Sequence, residues 1–354
     1  MSGDGRPILI TGGAGFIGSN LADRLAGEGH RIIVYDALSR PGVERNLAWL
    51  KGRHGKLITH VAGDVRDEDE LVRAAAEAKA VFHMAAQVAV TTSLADPRED
   101  FEINVKGTVN LLDAIRVRGE PVPVIFASTN KVYGDLCDIE FDTLHDRYEP
   151  RNFAARRGID ESRPLDFHTP YGCSKGAADQ YVLDYARSFG VPTAVFRMSC
   201  IYGQRQMGTE DQGWVAHFLI RALEDRPITI YGDGRQVRDI LDVGDAVNAY
   251  VAALRNIDRV AGRAFNLGGG PTNAISLIEL IDEIRAVTGR KVELSFEDWR
   301  QGDQRWFVAD TSVARAALDL PKPRDWRDGV AALAKWLAQE RGLELTRELA
   351  SAAE

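Results

Sequence analysis

Cysteines and long apolar runs are scarce in this sequence. Three cysteines, Cys137, Cys173 and Cys200, occur among 354 residues and form no CxxC pair. So few thiols exclude a disulfide framework and fit a reducing compartment. No apolar run approaches the roughly 20 residues that span a bilayer, and the first residues, MSGDGRPILITGG, lack the basic and apolar regions of a secretion signal. We therefore expect a soluble cytoplasmic protein without a membrane partner.

Positive charge is also in short supply. The chain has 44 Lys and Arg against 52 Asp and Glu, which gives a net charge of −8. Proteins that bind nucleic acids or anionic membranes need clustered lysines and arginines, so we expect neither partner. An anionic small molecule would have to be held by a few local groups. With 45% apolar residues, the chain is able to bury a substantial core.

A glycine-rich stretch follows the first apolar run. Residues 7–11 read as a short strand that continues into GGAGFIG and then into an amphipathic helix pattern. Glycines at this spacing let the chain turn sharply and approach a pyrophosphate, which the N–H groups of the following helix bind. A purely structural turn uses such glycines too. However, the next apolar run ends in Asp36, whose carboxylate is placed to accept both ribose hydroxyls and to repel a 2′-phosphate, so the pattern predicts binding of NAD rather than NADP.

Strand and helix patterns alternate along the first 200 residues or so. The apolar runs RIIVY, LITHV, AVFHM, PVIFA and TAVFRM lead into small or polar residues, and helix patterns with apolar stripes separate them. This alternation predicts an α/β fold with a doubly wound parallel sheet, the Rossmann fold, whose ligands lie beyond the carboxyl ends of the strands. Asp64 follows one such strand, and two interpretations are open: it caps the next helix, or it contacts an adenine.

Tyr171 and Lys175 form a candidate catalytic pair. Pro170 predicts the start of a helix just before Tyr171, and residues four apart share a helix face. A nearby ammonium and a nicotinamide cation favour the phenolate, which then takes a proton from a sugar hydroxyl while hydride leaves the same carbon. A helical tyrosine beside a solvated lysine is the plainer interpretation, but the preceding dinucleotide-binding half favours catalysis. Cys173 points to a different helix face, where we expect it to pack.

These features together carry a family resemblance. TGGAGFIG, Asp36, GDV, AAQ, STNKVYG and YGCSK resemble the extended short-chain dehydrogenase/reductase family that acts on nucleotide sugars, over about residues 6–340. The resemblance implies an NAD-dependent enzyme with Thr129, Tyr171 and Lys175 as its catalytic set, and we predict no metal site. The predicted cofactor contacts are Gly12, Gly15, Phe16, Ile17, Gly18, Asp36, Asp64, Val65, Ala85, Ala86, Gln87, Asn104, Tyr171, Lys175 and Met198.

The positions after Thr129 narrow the reaction that the resemblance implies. The family's 4,6-dehydratases carry Asp and Glu there, whereas this chain has Asn130 and Lys131. The family's 3,5-epimerases use a cysteine in this loop, and this loop has none. The reaction type that these positions leave open is oxidation and reduction at a single carbinol carbon. AAQVAVTTS, GIDES, DQGW and DQRWFVAD look like the CDP-paratose 2-epimerase (CDP-tyvelose epimerase) branch, which implies transient oxidation at C2, a choice of carbon that depends on resemblance alone.

The second half of the chain offers substrate contacts. Arg238 matches the arginine that holds the substrate diphosphate in this family, and Arg300 and Asp303 match further substrate positions. An acidic protein needs bidentate donors for a pyrophosphate, although a surface salt bridge explains a single arginine equally well. Gln212 and Trp214 shape the ligand pocket or belong to the core. The predicted substrate contacts are Thr129, Asn130, Gln212, Arg238, Arg300 and Asp303.

Two domains and an oligomer are expected. We predict an NAD-binding domain over residues 1–199 with returning segments at about 236–268, a smaller α/β substrate-binding domain over residues 200–345, and a tail over residues 346–354. The charged connection of residues 136–169 is either a surface insertion or a border of the substrate site. By the family resemblance, amphipathic helices at about 104–118 and 170–189 pair subunits into a homodimer or homotetramer.

Three functions are open at this point. The first is an NAD-dependent 2-epimerase of a nucleotide-diphosphate sugar, which is an isomerase. A UDP-sugar 4-epimerase needs the same Thr, Tyr, Lys and NAD, and differs in how the sugar is presented. A binding or regulatory protein that retains the fold is a third class, which a lost Tyr/Lys pair or a basic face would indicate; this sequence has neither feature.

Overall fold

The computed structural model describes residues 5–345, so the predicted tail of residues 346–354 lies outside the described residues. The strands are Ile8–Thr11 (β1), Ile32–Tyr35 (β2), Ile58–Val61 (β3), Ala80–His83 (β4), Val124–Thr129 (β5), Phe141–Thr143 (β6), Tyr148–Pro150 (β7), Thr193–Met198 (β8), Cys200–Tyr202 (β9), Ile228–Tyr231 (β10), Val237–Asp242 (β11), Arg263–Leu267 (β12), Ala274–Ser276 (β13), Leu294–Glu297 (β14) and Trp306–Phe307 (β15).

Helices separate strands β1 to β5 and lie between several of the later strands. They are Phe16–Gly27 (α1), Val43–His54 (α2), Glu68–Ala75 (α3), Val90–Ala95 (α4), Pro97–Phe101 (α5), Gly107–Arg116 (α6), Thr169–Phe189 (α7), Trp214–Leu223 (α8), Val243–Arg255 (α9), Ile257–Val260 (α10), Leu277–Thr288 (α11), Ser312–Leu318 (α12) and Trp326–Arg341 (α13). Within residues 5–345, no helix is both long and apolar enough to cross a membrane.

A seven-stranded parallel sheet forms the larger part of the molecule. Its strand order is β3-β2-β1-β4-β5-β8-β12, and every neighbouring pair is parallel. Helices α1, α2 and α9 bury their apolar stripes against one face, and α3, α6 and α7 cover the other. Strands covered on both faces are continuously apolar, as the buried run of β1 is. The predicted doubly wound α/β fold is confirmed.

A smaller part is built from the second half of the chain. Strand β11 pairs in parallel with β9 and β15 and antiparallel with β13, while β10 and β14 form a separate parallel pair. Helices α8, α11 and α13 share a second apolar core beside these strands. Strand β12 returns to the large sheet beside β8. The domain boundaries themselves stay a prediction.

The connection of residues 136–169 is folded onto the smaller part. Strands β6 and β7 form an antiparallel pair, the backbone N–H of Tyr148 donates to Arg235 O at 2.9 Å, and Ile159 bridges Ala309. An ion pair of 3.1 Å between Arg147 and a carboxylate of α11 adds to these contacts. The connection is therefore an ordered insertion with its own strand pair.

A buried ion pair holds helix α7 against β5 and β8. Asp179 accepts hydrogen bonds from Arg197 Nε and Nη2 at 3.0 and 2.9 Å and from the Ser128 hydroxyl at 2.8 Å. Arg197 Nη1 donates to the Tyr133 hydroxyl at 3.2 Å. The side chains of Asp179 and Arg197 are 0% and 5% exposed, so their attraction is little screened by water.

Replacing Asp179 by Asn is expected to lower the free energy of unfolding by about 3–5 kcal/mol, because Arg197 stays buried without a counter-charge. Urea denaturation measures this loss. The matched control is Asp184→Asn on the same helix, which removes an exposed pair with Arg187 at 3.7 Å and should cost less than about 0.5 kcal/mol. Similar losses in the two variants would contradict the prediction.

Candidate active site

A cleft of about 850 Å³ lies at the carboxyl ends of the parallel strands and extends to the smaller part of the molecule. Its wall includes nineteen of the residues predicted to contact cofactor or substrate: Gly12, Gly15, Phe16, Ile17, Gly18, Asp36, Asp64, Val65, Ala85, Ala86, Thr129, Asn130, Tyr171, Lys175, Met198, Gln212, Arg238, Arg300 and Asp303. Residues that are far apart in sequence are thus brought to one surface. None of residues 136–169 belongs to this wall, so the insertion does not border the cleft.

The glycine turn forms one end of the cleft. Gly12 has φ +64°, and a Cβ at this position would lie 2.7 Å from the backbone nitrogen of Ala85. Helix α1 begins after Gly15 with no side-chain cap and no acidic residue in its first turn. A helix N-terminus without these groups offers its N–H donors and positive dipole end to an anion. The backbone here fits the pyrophosphate of NAD.

Asp36 lies beside this turn at the end of β2. Its carboxylate accepts hydrogen bonds from the backbone N–H groups of Ala14 and Leu38, both at 2.9 Å. The carboxylate is therefore held at the cleft wall, where a ribose of NAD would meet it. These contacts fit the predicted preference for a cofactor without a 2′-phosphate.

The structure distinguishes between the two interpretations of Asp64, a helix cap and a cleft residue. Its carboxylate pairs with Arg66, with Nη2 to Oδ2 at 2.7 Å, and this hydrogen bond is the main reason that the pKa of Asp64 is lowered. The cap of helix α3 is Asp67, which accepts from the backbone N–H of Glu70 at 3.0 Å. Asp64 lines the cleft but does not cap the helix.

Two predicted cofactor residues, Gln87 and Asn104, do not line the cleft. The Asn104 amide accepts from the backbone N–H of Gln87 at 2.9 Å and donates to Ser174 Oγ at 3.0 Å. The Gln87 amide donates to the buried Asp100 at 2.8 Å. Because their polar atoms are used by one another, these side chains fasten the turn after β4 to helix α7 behind the cleft. Their role as direct cofactor contacts stays a prediction.

Tyr171 and Lys175 lie together on buried turns of α7. Lys175 Nζ donates to Ala127 O at 2.7 Å and lies 4.2 Å above the centre of the Phe126 ring. Burial lowers the pKa of Lys175 to about 7. Burial also raises the pKa of Tyr171 to about 12, although a hydrogen bond with Thr129 opposes this shift. In the protein without NAD the net shift of the Tyr171 pKa is therefore upward, because desolvation dominates.

The substrate side of the cleft contains two arginines that are already paired. Arg238 Nη2 donates to Asp303 Oδ1 and to Gln304 O, both at 2.5 Å. Arg300 lies 3.7 Å above the centre of the Tyr231 ring and donates to Glu210 O at 3.0 Å. Both arginines thus have protein partners and also line the cleft, so the two interpretations of them are compatible. A diphosphate would bind beside, or in place of, carboxylates that face the same guanidinium groups.

Other predicted side chains have mixed surroundings. The Asn130 amide donates to Gln304 Oε1 at 3.4 Å at the cleft wall. Gln212 pairs through its backbone with Thr209. Trp214 is half-buried at the cleft and donates to Cys200 Sγ at 3.4 Å, so it contributes to pocket and core alike. The sulfur of Cys173 is exposed, and the expectation that it packs is wrong.

Sequence reasoning missed several residues of the cleft wall, among them Lys131, Ser199 and Cys200. The Lys131 ammonium donates to Gly302 O at 2.8 Å. Each of these residues lies one or two positions after the end of a parallel strand. Lys131 follows β5, which ends at Thr129, and Ser199 and Cys200 follow β8, which ends at Met198. That position was the available signal, because ligands of such sheets lie at the carboxyl ends of the strands.

Comparison with known proteins agrees with this geometry. The model of the NAD dependent epimerase/dehydratase family matches residues 8–268, which include the glycine turn and helix α7. The chain belongs to the NAD dependent epimerase/dehydratase family. The resemblance to extended short-chain dehydrogenases/reductases and the choice of NAD as cofactor are confirmed by this membership.

Several members of the NAD dependent epimerase/dehydratase family match almost the whole chain. CDP-paratose 2-epimerase from Salmonella typhi is 44% identical over 336 residues, 93% of this chain and 98% of its own. The structure of UDP-glucose 4-epimerase from Thermotoga maritima with UDP-glucose is 29% identical, with a TM-score of 0.81 over 95% of this chain and 99% of its own. That of the Thermus thermophilus enzyme with NAD is 28% identical, with a TM-score of 0.78 over 94% and 98%. The prediction of a nucleotide-sugar epimerase, an isomerase, is confirmed.

The lowered pKa of Lys175 predicts a pH dependence of stability. Between about pH 7 and about pH 10 the unfolded chain holds a proton on this lysine that the folded chain has lost, so the folded state gains stability as pH rises. The variant Lys175→Met lacks this proton equilibrium. The unfolding free energy of the wild type relative to Lys175→Met should therefore rise by roughly 1 kcal/mol per pH unit between about pH 7 and about pH 9.

Urea denaturation at several pH values measures this difference. The matched control is Lys56→Met, which replaces an exposed lysine outside the cleft and should leave the slope unchanged. A flat difference between wild type and Lys175→Met would mean that Lys175 titrates near its ordinary pKa, and the prediction would be wrong.

Proposed function

We propose that this enzyme inverts the configuration at C2 of CDP-paratose or a closely related nucleotide sugar. The observation that carries the proposal is a cleft in which Thr129, Tyr171 and Lys175 meet, while Asn130 and Lys131 occupy the two following positions instead of carboxylates. Such a set supports oxidation and reduction at one carbinol but supplies no acid and base there for elimination of water. The similarity to CDP-paratose 2-epimerase from Salmonella typhi supports the choice of C2.

Each residue of the set has a proposed role in this reaction. When bound, NAD would supply the hydride acceptor and donor and, in its oxidised form, a positive charge that favours the phenolate. Tyr171 takes the proton of the C2 hydroxyl, Thr129 hydrogen-bonds the same oxygen, and the Lys175 ammonium favours the phenolate. The resulting 2-keto sugar then presents its opposite face. Tyr171 returns the proton to the same oxygen as the configuration is inverted. Because the hydride that would leave C2 would also return to C2, the reaction is redox-neutral overall and would consume no cofactor.

In the proposed reaction the same sugar is first oxidised and then reduced, so bound NAD is regenerated in each cycle. We therefore expect the purified enzyme to need no added cofactor. Purified enzyme should invert C2 when incubated with CDP-paratose, and proton NMR of separate reactions with CDP-paratose, CDP-glucose, GDP-mannose and UDP-glucose measures which carbon changes. Inversion at C4 of UDP-glucose would favour the alternative of a UDP-sugar 4-epimerase and would contradict the proposed carbon. No change in any nucleotide sugar would contradict both.

The control for this experiment is Tyr171→Phe. It removes the proton acceptor but leaves the ring packing, so turnover should fall by at least about a hundredfold while NAD stays bound. The absorbance of the released dinucleotide measures the bound NAD. Turnover near that of the wild type would show that Tyr171 is not the base.

We also propose a cytoplasmic homodimer or homotetramer. Helices α6 and α7 lie side by side, and α7 exposes Tyr181 and Phe189, which are 47% and 52% exposed in a single chain. Apolar surface of this kind is stabilised when a second copy covers it. Light scattering during size-exclusion chromatography should give two or four chain masses, and one chain mass at micromolar concentration would contradict the proposal.

A further inference from the structure

Lys131 is a charged residue of the cleft wall that has no role in the mechanism above. It belongs to the 3₁₀ turn Asn130–Tyr133, which directly follows strand β5. Its side chain is half-buried and lines the cleft, so the ammonium is enclosed by protein yet open to a ligand. A lysine placed in this way is costly to desolvate unless acceptors surround its ammonium.

The hydrogen bonds of Lys131 leave donors for a ligand. Its ammonium carries three N–H donors, and among residues 5–345 its acceptor is Gly302 O, at 2.8 Å. Burial lowers the pKa of Lys131, the nearby Arg238 lowers it further, and Asp303 opposes both. Asp303 is itself hydrogen-bonded to Arg238. An oxygen-rich ligand in the cleft would supply the acceptors that the protein does not.

The position of Lys131 indicates which part of the ligand it meets. Its backbone N–H donates to Thr129 Oγ1 at 3.2 Å, the hydroxyl assigned to the reacting carbinol. Its side chain reaches the backbone of Gly302, which lies in sequence between Arg300 and Asp303 and lines the cleft as they do. Lys131 is therefore in direct contact with the residue that would bind the reacting carbinol, whereas Arg300 lies over the Tyr231 ring and donates to Glu210 O.

We propose that Lys131 is a sugar-binding residue whose ammonium donates hydrogen bonds to oxygens of the sugar and keeps that sugar seated through oxidation and return. This inference rests on the proposed function, since it requires a nucleotide sugar as ligand. A charged donor is suited to this task because it binds both a hydroxyl and a carbonyl oxygen strongly, so it retains the sugar while the oxidation state of the reacting carbon changes.

The test compares two ligands that differ by the sugar alone. Isothermal titration calorimetry gives the dissociation constants of CDP and CDP-paratose for the wild type and for Lys131→Met, which keeps the length of the side chain but not its charge. We expect Lys131→Met to bind CDP-paratose at least about tenfold more weakly and to bind CDP within about twofold of the wild type.

The other outcomes overturn the inference. Equal losses for CDP and CDP-paratose would place the ammonium on the diphosphate or give it a purely structural role. Unchanged affinity for both ligands would show that Lys131 does not bind the ligand at all. A structural role alone does not change the ratio of the two constants, so this ratio is the decisive readout.

Matched variants keep the test interpretable. Lys56→Met removes an exposed lysine outside the cleft and should leave both constants unchanged. Bound NAD and the thermal unfolding temperature show whether each variant is folded. If Lys131→Met does not fold, Lys131→Gln, which keeps a neutral donor, should show the same selective loss for CDP-paratose. A proportionate loss for both ligands in Lys131→Gln would overturn the inference.

Failure of the inference and failure of the proposed function have different signatures. The binding comparison needs no turnover, whereas the proposed function is judged by inversion of C2 in the wild type. If the wild type inverts C2 but the affinity ratio does not change in the variants, the assignment of Lys131 alone is wrong. If the wild type inverts C4 of UDP-glucose instead, UDP and UDP-glucose replace the CDP ligands in the same comparison, with the same two outcomes.

Discussion

The ion pair between Asp179 and Arg197 is the contact on which the position of helix α7 depends. It joins the helix to β5 and β8 below the cleft, through bidentate bonds between two buried charges. Because Tyr171 and Lys175 lie on the first turns of the same helix, this pair determines how they stand relative to Thr129 at the end of β5. Buried charges of this kind tolerate few alternative arrangements, since each must keep its partner.

The start of the helix is held in a second way. The backbone N–H of Tyr171 donates to Ser93 Oγ at 3.1 Å, and Ser174 joins the Asn104 network behind the cleft. Together with Gln87 and Asp100, these polar groups connect the turn after β4 to the helix. Preorganisation of Tyr171 and Lys175 therefore comes from residues that do not themselves line the cleft.

The sheet, the glycine turn and the Tyr/Lys pair were predictable because each depends on local sequence. Apolar runs specify buried strands, and glycine spacing specifies the turn. The pKa of Tyr171 and the exposure of Cys173 depend instead on how completely neighbouring elements cover each residue, which sequence spacing does not encode. The contact between Gln87 and Asn104 could not be foreseen for a related reason: a polar residue at the end of a strand faces either the ligand or the protein behind it, and only the packing decides.

The return of β12 to the large sheet has a consequence for synthesis of the chain. Strand β8 ends at Met198, and its partner β12, Arg263–Leu267, is made only after the chain has built β9, β10 and β11. On the ribosome, the nascent nucleotide-binding half therefore presents an unpaired edge until that later segment emerges. An unpaired strand edge is able to pair with other chains. While the residues between β8 and β12 are being synthesised, the free edge of β8 is therefore open to aggregation and to chaperones.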